Sequence, residues 1–383
     1  MGLPPVYGHG EVRAKVLAAL RANHLPQSIL LHGPAGVGKE RLGLWLAQTL
    51  LCETPRPEDG GPCDQCRTCR MVRRLEHPDV HWFFPLPRPD AATTEKLRDK
   101  LEEHRGAELA ARRSDPFHVP TYDKAPAYFL GMVQNLQRLA AVRPAMARRS
   151  VFVVGDAEAM VPQESSPEAA NAFLKLLEEP PADTTLILTS SNPGALLPTI
   201  RSRVLPVRVL RLAPGEVAEF LEREKGMDAG EAERLAALSE GAVGRALRLL
   251  PTSGGAGVLQ RQRETGRALL EAATSASGAD RFAAANAVAP AGARGEFTAG
   301  LEALALWLRD LMAVAAGAPE QVAYTADPAF LAGIAKKGVS PEGVASAILR
   351  VREAQELASG NVNPQLILAG LLRGLRRDLL RAG

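Results

Sequence analysis

The sequence predicts an α/β domain built on a glycine-rich phosphate loop: a parallel sheet with flanking helices, interrupted by a cysteine-rich module. A small helical lid and an all-helical C-terminal domain are expected to follow. Three observations predict this. A glycine-rich loop ending in lysine, Gly33 to Lys39, lies between an apolar run and a helical pattern. Four further apolar runs alternate with helical patterns up to about residue 208, the arrangement of a parallel sheet buried on both faces. All 4 cysteines lie between residues 52 and 69.

Composition sets the bounds. At ~150 residues per domain, 383 residues suggest two or three domains, enough to bury cores without disulfides. Apolar residues make up 46% and charged residues 23%, which excludes a disordered or collagen-like chain. A net charge of +3 decides nothing about nucleic acid, and 4% aromatic residues argue against a base-stacking surface. No apolar run approaches the ~20 residues of a membrane span. The opening MGLPPVYGHGEVRAK has no apolar core after a basic segment, so it does not read as a signal peptide. The expected compartment is the cytoplasm, where clustered cysteines bind metal rather than form disulfides.

The elements follow in order. EVRAKVLAALRA (11–22) has helical spacing, SILLH (28–32) reads as a buried strand, and KERLGLWLAQTLL (39–51) as a helix. DVHWFF suits a strand stopped by prolines. Residues 85–127 are polar and proline-rich, with a helix at TEKLRDKLEEH, and read as an insertion or mobile loop. YFLGMVQNLQRLAA is helical. RRSVFVVGDAEAM is a strand, and SSPEAANAFLKLLEEPP is a capped helix stopped by prolines. DTTLILTSSNP and RVLPVRV complete the sheet. Residues 213–250 hold three short helical patterns, PTSGGAG (251–257) reads as a linker, and 258–381 is Ala- and Leu-rich with no convincing strand.

The loop Gly33-Pro-Ala-Gly36-Val-Gly38-Lys39-Glu40 stands where a phosphate loop must, after a strand and at the start of a helix. Glycines turn backbone N–H groups toward one point, the helix N-terminus adds positive potential, and the lysine reaches the outer phosphates. One position departs from the motif. Ser or Thr should follow the lysine to hold Mg²⁺, and Glu40 stands there instead, where its carboxylate would repel the phosphates. The strand Val151 to Val154 should end in Asp-Glu. Aligned one way, Gly155 takes the metal position and Asp156 the water-positioning one; shifted by one, Asp156 is restored but Ala157 follows. Neither register supplies both carboxylates, so binding of ATP or ADP is expected to be weak or absent and hydrolysis poor.

Cys52-x10-Cys63-x2-Cys66-x2-Cys69 offers four thiolates for a closed tetrahedral Zn²⁺ site, structural because no position remains for a catalytic water. His77 and His81 are not needed as ligands. Pro198-Thr-Ile-Arg201-Ser202-Arg203-Val204 places an arginine between two strands, where it could reach a neighbour's nucleotide as a finger in trans; on spacing alone the solvated basic turn is the better reading, because arginine pairs are common on surfaces.

Together these segments resemble the AAA+ clamp-loader subunits of bacterial DNA polymerase III. HLPQSILLHGPAGVGKE, the cysteine cluster, HPDVHWF, NAFLKLLEEPP, LTSSNP and PTIRSRV run in family order, EGAVGRAL resembles the sensor 2 region, and NVNPQLILAGLL the last collar helix. The resemblance implies an AAA+ module over 1–210 with its zinc module at 52–69, a lid over 211–252 and an all-α collar over 258–383 that includes Trp307. It implies that Arg203 is the finger, with Val204 replacing the family's cysteine, that Arg245 takes the sensor 2 position, and that sensor 1 is Ser191 or Asn192. It implies a pentameric arc with gamma/tau and delta subunits that loads a sliding clamp onto primer-template DNA. Glu40 and the Gly155-Asp156 pair, with the stop at 383 and no long tail, point to the family's stator with its degraded nucleotide site. The alternatives are an active gamma/tau-like ATPase and a zinc-containing nucleic-acid binder on the same fold.

Overall fold

The structure is a computed structural model, and it describes residues 2–90, 93–120, 122, 124, 126–161, 168–250, 258–288, 294–322, 327–359 and 362–380. The chain divides into two compact units, one of residues 1–121 with 126–247 and one of 248–383 with 122–125.

The first unit opens with α1 (Gly10–Arg21), β1 (Ser28–His32), α2 (Lys39–Leu51) and α3 (Arg67–Arg73). Next come β2 (Val80–Phe83), α4 (Thr94–Ser114), α5 (Leu130–Ala140) and β3 (Ser150–Val154). α6 (Glu168–Glu178), β4 (Thr184–Ser190), the single turn α7 (Pro198–Arg201) and β5 (Leu205–Arg208) complete the sheet region. α8 (Pro214–Lys225), α9 (Ala229–Ser239) and α10 (Val243–Leu249) follow.

The five strands form one sheet in the order β2-β3-β4-β1-β5, and every neighbouring pair is parallel. The register is set by apolar runs: Leu30 stands beside Leu188, and Ile187 beside Val153. All seven residues of β4 are buried, whereas β5 is largely exposed and carries Pro206, a residue that only an edge strand tolerates. With right-handed crossovers, the step from β1 to β2 puts α2 on one face, and the opposite steps through β3 and β4 put α5 and α6 on the other. α2 accordingly packs on β3 and β4, while α5 and α6 pack on each other. Gly33, Gly155 and Ser191 follow directly on β1, β3 and β4, so they gather at the carboxyl end of the sheet, where ligands bind in open α/β folds.

The 85–127 segment differs from the expected loop with one short helix. α4 spans 21 residues. Leu101 is buried, and Leu86 and Ala127 exchange two backbone hydrogen bonds of 3.1 and 2.9 Å that close the base of the segment. The helix is held by cation-π contacts that no apolar periodicity announces: Arg105 lies 4.7 Å over Phe83, and Arg112 lies 4.3 Å over Trp82 and 4.1 Å over Phe84. The first residues of SSPEAANAFLKLLEEPP and the expected linker 251–257 lie outside the described residues.

The helices α8 to α10 share their own apolar cluster, around Val217, Phe220, Leu221, Ala232 and Ala246. Tyr7 of the N-terminal segment meets Phe220 edge-on at 5.2 Å. The second unit holds α11 (Val258–Thr274), α12 (Gly278–Asn286), α13 (Arg294–Ala315), α14 (Pro328–Ala335), α15 (Pro341–Ser359) and α16 (Pro364–Leu379), with no strand among the described residues. Leu301, Leu304, Leu308 and Leu311 line one face of α13 at helical spacing and are fully buried in a core shared with Leu368, Leu372 and Leu375 of α16, with α13 packed on α11 and α15. Trp307 donates its indole N–H to the Arg263 carbonyl at 3.0 Å. No described helix is long and apolar enough to cross a membrane.

Candidate functional site

Lys39 begins α2, as the phosphate-loop motif requires, but its side chain turns inward. Its Nζ donates to the Gly33 carbonyl at 3.0 Å, the Pro34 carbonyl at 2.9 Å and Ser191 Oγ at 2.9 Å. An ammonium has three donors, so all are taken by the protein itself. Burial pushes the Lys39 pKa down from its ordinary value, against the pull of Asp156, Glu158 and Glu40. The ammonium is therefore a tie between the loop and the end of β4.

Glu40 is equally committed. Its Oε2 accepts the indole N–H of Trp82 at 2.8 Å and lies 3.6 Å from the Arg112 guanidinium. Arg112 in turn donates to Glu108 at 3.1 Å. The carboxylate rests directly on Gly155: a Cβ there would stand 2.9 Å from Glu40 Cδ and 3.0 and 3.1 Å from its oxygens. Any side chain at the end of β3 would collide with it. The two departures from the motif thus form one contact. Tyr128 seals it from the other side, donating to the Gly155 carbonyl at 2.7 Å, and burial holds its pKa well above the ordinary value, so the phenol keeps its proton.

The remaining candidates fall into place around this contact. Asp156 takes a left-handed turn at φ 43°, and its N–H donates to Thr189 Oγ1 at 3.0 Å. Of the two sensor 1 candidates, Ser191 faces the lysine, whereas Asn192 is exposed. Both present their N–H to Glu158, at 2.8 and 3.1 Å. Gly36 sits at φ 77° under the start of α10: the Gly244 N–H donates to its carbonyl at 2.8 Å, and a Cβ on Gly36 would lie 3.1 Å from the Arg245 nitrogen. The backbone of α10 thus lies on the loop, and the Arg245 side chain pairs with Glu240 at 3.2 Å. On the other side, His9 Nε2 meets the Val37 carbonyl at 2.7 Å.

Arg203 follows α7 and belongs to none of this network. It is exposed, its Nη2 lies 2.9 Å from Glu178 of α6, and its Nη1 donates to the Thr199 carbonyl at 2.9 Å. Exposed pairs of this kind contribute about 0–1 kcal/mol, so Arg203 can be recruited elsewhere at little cost.

The four cysteine sulfurs all lie within 4.8 Å of one another, and Cys63 and Cys69 are 3.9 Å apart. Bonds of about 2.3 Å to a tetrahedral metal would set sulfurs about 3.8 Å apart. Backbone N–H groups of Cys63, Cys66 and Cys69 each point at the preceding cysteine's sulfur at 3.3 Å, which favours thiolates. Gln48 of α2 donates to Asp64 at 2.8 Å and ties the module to the sheet domain. The residues fit a metal ion, with Cys52, Cys63, Cys66 and Cys69 as its ligands. His77 and His81 stand apart from it: His81 stacks on Phe152 at 4.6 Å, and burial lowers its pKa to about 4.

Trp82, Arg112 and Tyr128 belong to the site; Trp82 lies within HPDVHWF, where nothing marked it as a partner of Glu40, and Arg112 and Tyr128 carry no motif. The only signal was the charge at Glu40, which asks for a partner; Arg112 stands far from it in sequence and becomes a neighbour only when α4 packs on β2.

A family model described as "DNA polymerase III, delta subunit" matches residues 8–213, over half of the chain. The DNA polymerase III subunit delta' of Pseudomonas aeruginosa is 34% identical over 232 residues, which cover 60% of this chain and 57% of that one. The Escherichia coli subunit delta' is 28% identical over 241 residues, covering 61% and 58%. The gamma/tau subunit of Mycobacterium bovis is 26% identical over 221 residues, covering 56% of this chain and 31% of that one. The chain thus spans less than two thirds of the length of each of these relatives.

The Glu40–Gly155 contact predicts a specific non-additivity. Gly155→Ala should destabilise the chain by about 1–3 kcal/mol, because the methyl group overlaps the carboxylate. In an Glu40→Ala background the same change should cost under about half as much. Urea unfolding of the four proteins checks this; equal costs in both backgrounds would show that Glu40 does not occupy the space at Gly155.

Proposed function

This chain belongs to the DNA polymerase III delta subunit family, and from that premise we propose that it is the delta' stator of a clamp loader: it does not hydrolyse ATP itself and lends Arg203 to a neighbour. The observation that carries this reading is the contrast within one unit. The loop that would bind nucleotide is bonded to itself through Lys39, Glu40, Trp82 and Arg112, whereas Arg203 is exposed and weakly held.

In this reading the neighbour is a gamma/tau subunit with ATP bound. Arg203 exchanges Glu178 for the γ-phosphate and stabilises the charge that develops as the phosphoryl group transfers. The rigid parallel sheet and the lid lying on Gly36 give the finger a fixed platform. The helical unit of 258–383 supplies the collar through which gamma/tau, delta and delta' assemble, and the assembly opens a sliding clamp and places it on primer-template DNA in the cytoplasm. A structural Zn²⁺ on Cys52, Cys63, Cys66 and Cys69 braces the module beside α2. The alternative of an active gamma/tau-like motor requires Lys39 to leave three hydrogen bonds and Glu40 to accept a phosphate beside it.

Two measurements test the proposal. In a loader reconstituted with its motor subunits, clamp and primed DNA, Arg203→Ala in this chain should lower ATP turnover at least about tenfold, toward the roughly 10³-fold that a trans arginine supplies, while Lys39→Ala leaves turnover within about twofold. Damage from Lys39→Ala and none from Arg203→Ala would make the chain a motor. Metal analysis of the purified chain should find about one zinc per molecule, and its removal by a chelator should lower Tm by several degrees; well under one equivalent would remove zinc from the account.

A further inference from the structure

A second cluster of charge lies outside the phosphate-loop site. The N-terminal residues Leu3 to Val6, the helices α1 to α3 and the cysteine module enclose a cavity of about 120 Å³. Arg13 of α1, Arg41 of α2 and Arg73 of α3 converge on it, with Trp45 and Leu44 as apolar walls. Two of their nitrogens, Arg13 Nε and Arg41 Nη1, are buried with no hydrogen-bond acceptor. A buried guanidinium N–H without an acceptor costs about 1–3 kcal/mol or more, so it is seldom left so.

One carboxylate, that of Asp64, lies on the same wall as Arg13, Arg41, Arg56 and Arg73. Asp64 accepts from Gln48 at 2.8 Å. The fourth arginine on the wall, Arg56, is held by Asp59 through two hydrogen bonds, of 3.0 and 2.5 Å. Arg73 Nε donates to the Leu3 carbonyl at 3.0 Å, and Arg41 Nη2 donates to the Pro4 carbonyl. Burial first and the neighbouring charge of Arg73 second push the Arg41 pKa down to about 10, and Glu224 opposes this only in part. With four arginines against one carboxylate on its wall, the cavity concentrates positive charge beside the apolar side chains of Leu44 and Trp45.

We propose that this cavity is an oxyanion site that binds a phosphate dianion, either free or as the terminal group of a phosphate monoester. Donors arrive from three helices rather than as one planar fork, which suits a tetrahedral anion better than a carboxylate. The apolar walls strengthen the attraction by excluding water. A ligand here would also clamp the N-terminal segment and the cysteine module onto α2, because both contribute to the lining.

Calorimetric titration of the full-length chain with inorganic phosphate, phenyl phosphate and acetate tests this, with Tm followed in parallel. Phosphate should bind with a Kd of about 1 mM or tighter and raise Tm, and acetate should bind at least about tenfold more weakly. Arg41→Gln should weaken phosphate binding about tenfold or more; Arg13→Gln, at a partly exposed residue, gives the same reading if the Arg41 variant does not fold. Phenyl phosphate matching inorganic phosphate identifies a monoester site, and binding of inorganic phosphate alone identifies a free-ion site. No heat and no Tm shift at about 10 mM phosphate would overturn the proposal. So would binding that Lys39→Ala abolishes and the arginine variants keep, since the ion would then lie on the glycine-rich loop.

Discussion

The sheet domain is organised around one contact: the carboxylate of Glu40 lying on Gly155. In a phosphate loop the hydroxyl of the residue after the lysine faces the metal, and the end of the third strand supplies a carboxylate to it. Here the first position has gained a charge and the second has lost its side chain, and the gain fills the loss. A half-buried charge needs partners, and Trp82 and Arg112 supply them. That requirement explains why the 85–127 segment is ordered into a long helix: Arg112 must be delivered to the same spot, and stacking on Trp82 and Phe84 delivers it.

The lysine beside this contact is satisfied by the loop's carbonyls and by Ser191. The loop's curvature, its glycines and its docking under α10 are all retained. Its hydrogen bonds make the loop a structural corner joining β1, the end of β4 and α10. On the outer surface, Arg203 holds an exposed ion pair with Glu178 and a hydrogen bond to the Thr199 carbonyl. The stator reading we propose rests on this contrast between a bonded interior and a lightly held arginine.

Much of this was legible in the sequence. The strand at 28–32 and the helix at 39–51 match β1 and α2 residue for residue, because apolar runs bounded by glycines leave little choice of period. The cysteine cluster was legible because spacing alone brings its members together. The departures at Glu40 and Gly155 were visible, but their mutual contact was not, since it depends on β3 lying beside α2. Arg112 was hidden for a stronger reason. Its segment is polar and proline-rich, and cation-π stacking on β2 leaves no periodic trace. The orphaned nitrogens of Arg13 and Arg41 were likewise out of reach, because only folding shows that neither meets a carboxylate.

The account stands on the loop being closed by its own side chains. The most direct test is equilibrium binding of ATP to the isolated chain with and without Mg²⁺. The closed loop predicts no Mg²⁺-dependent binding below about 1 mM ATP. Micromolar affinity that requires Mg²⁺ and disappears in Lys39→Ala would contradict it, for then Glu40 would have yielded its place to a metal and Lys39 its three bonds to a phosphate.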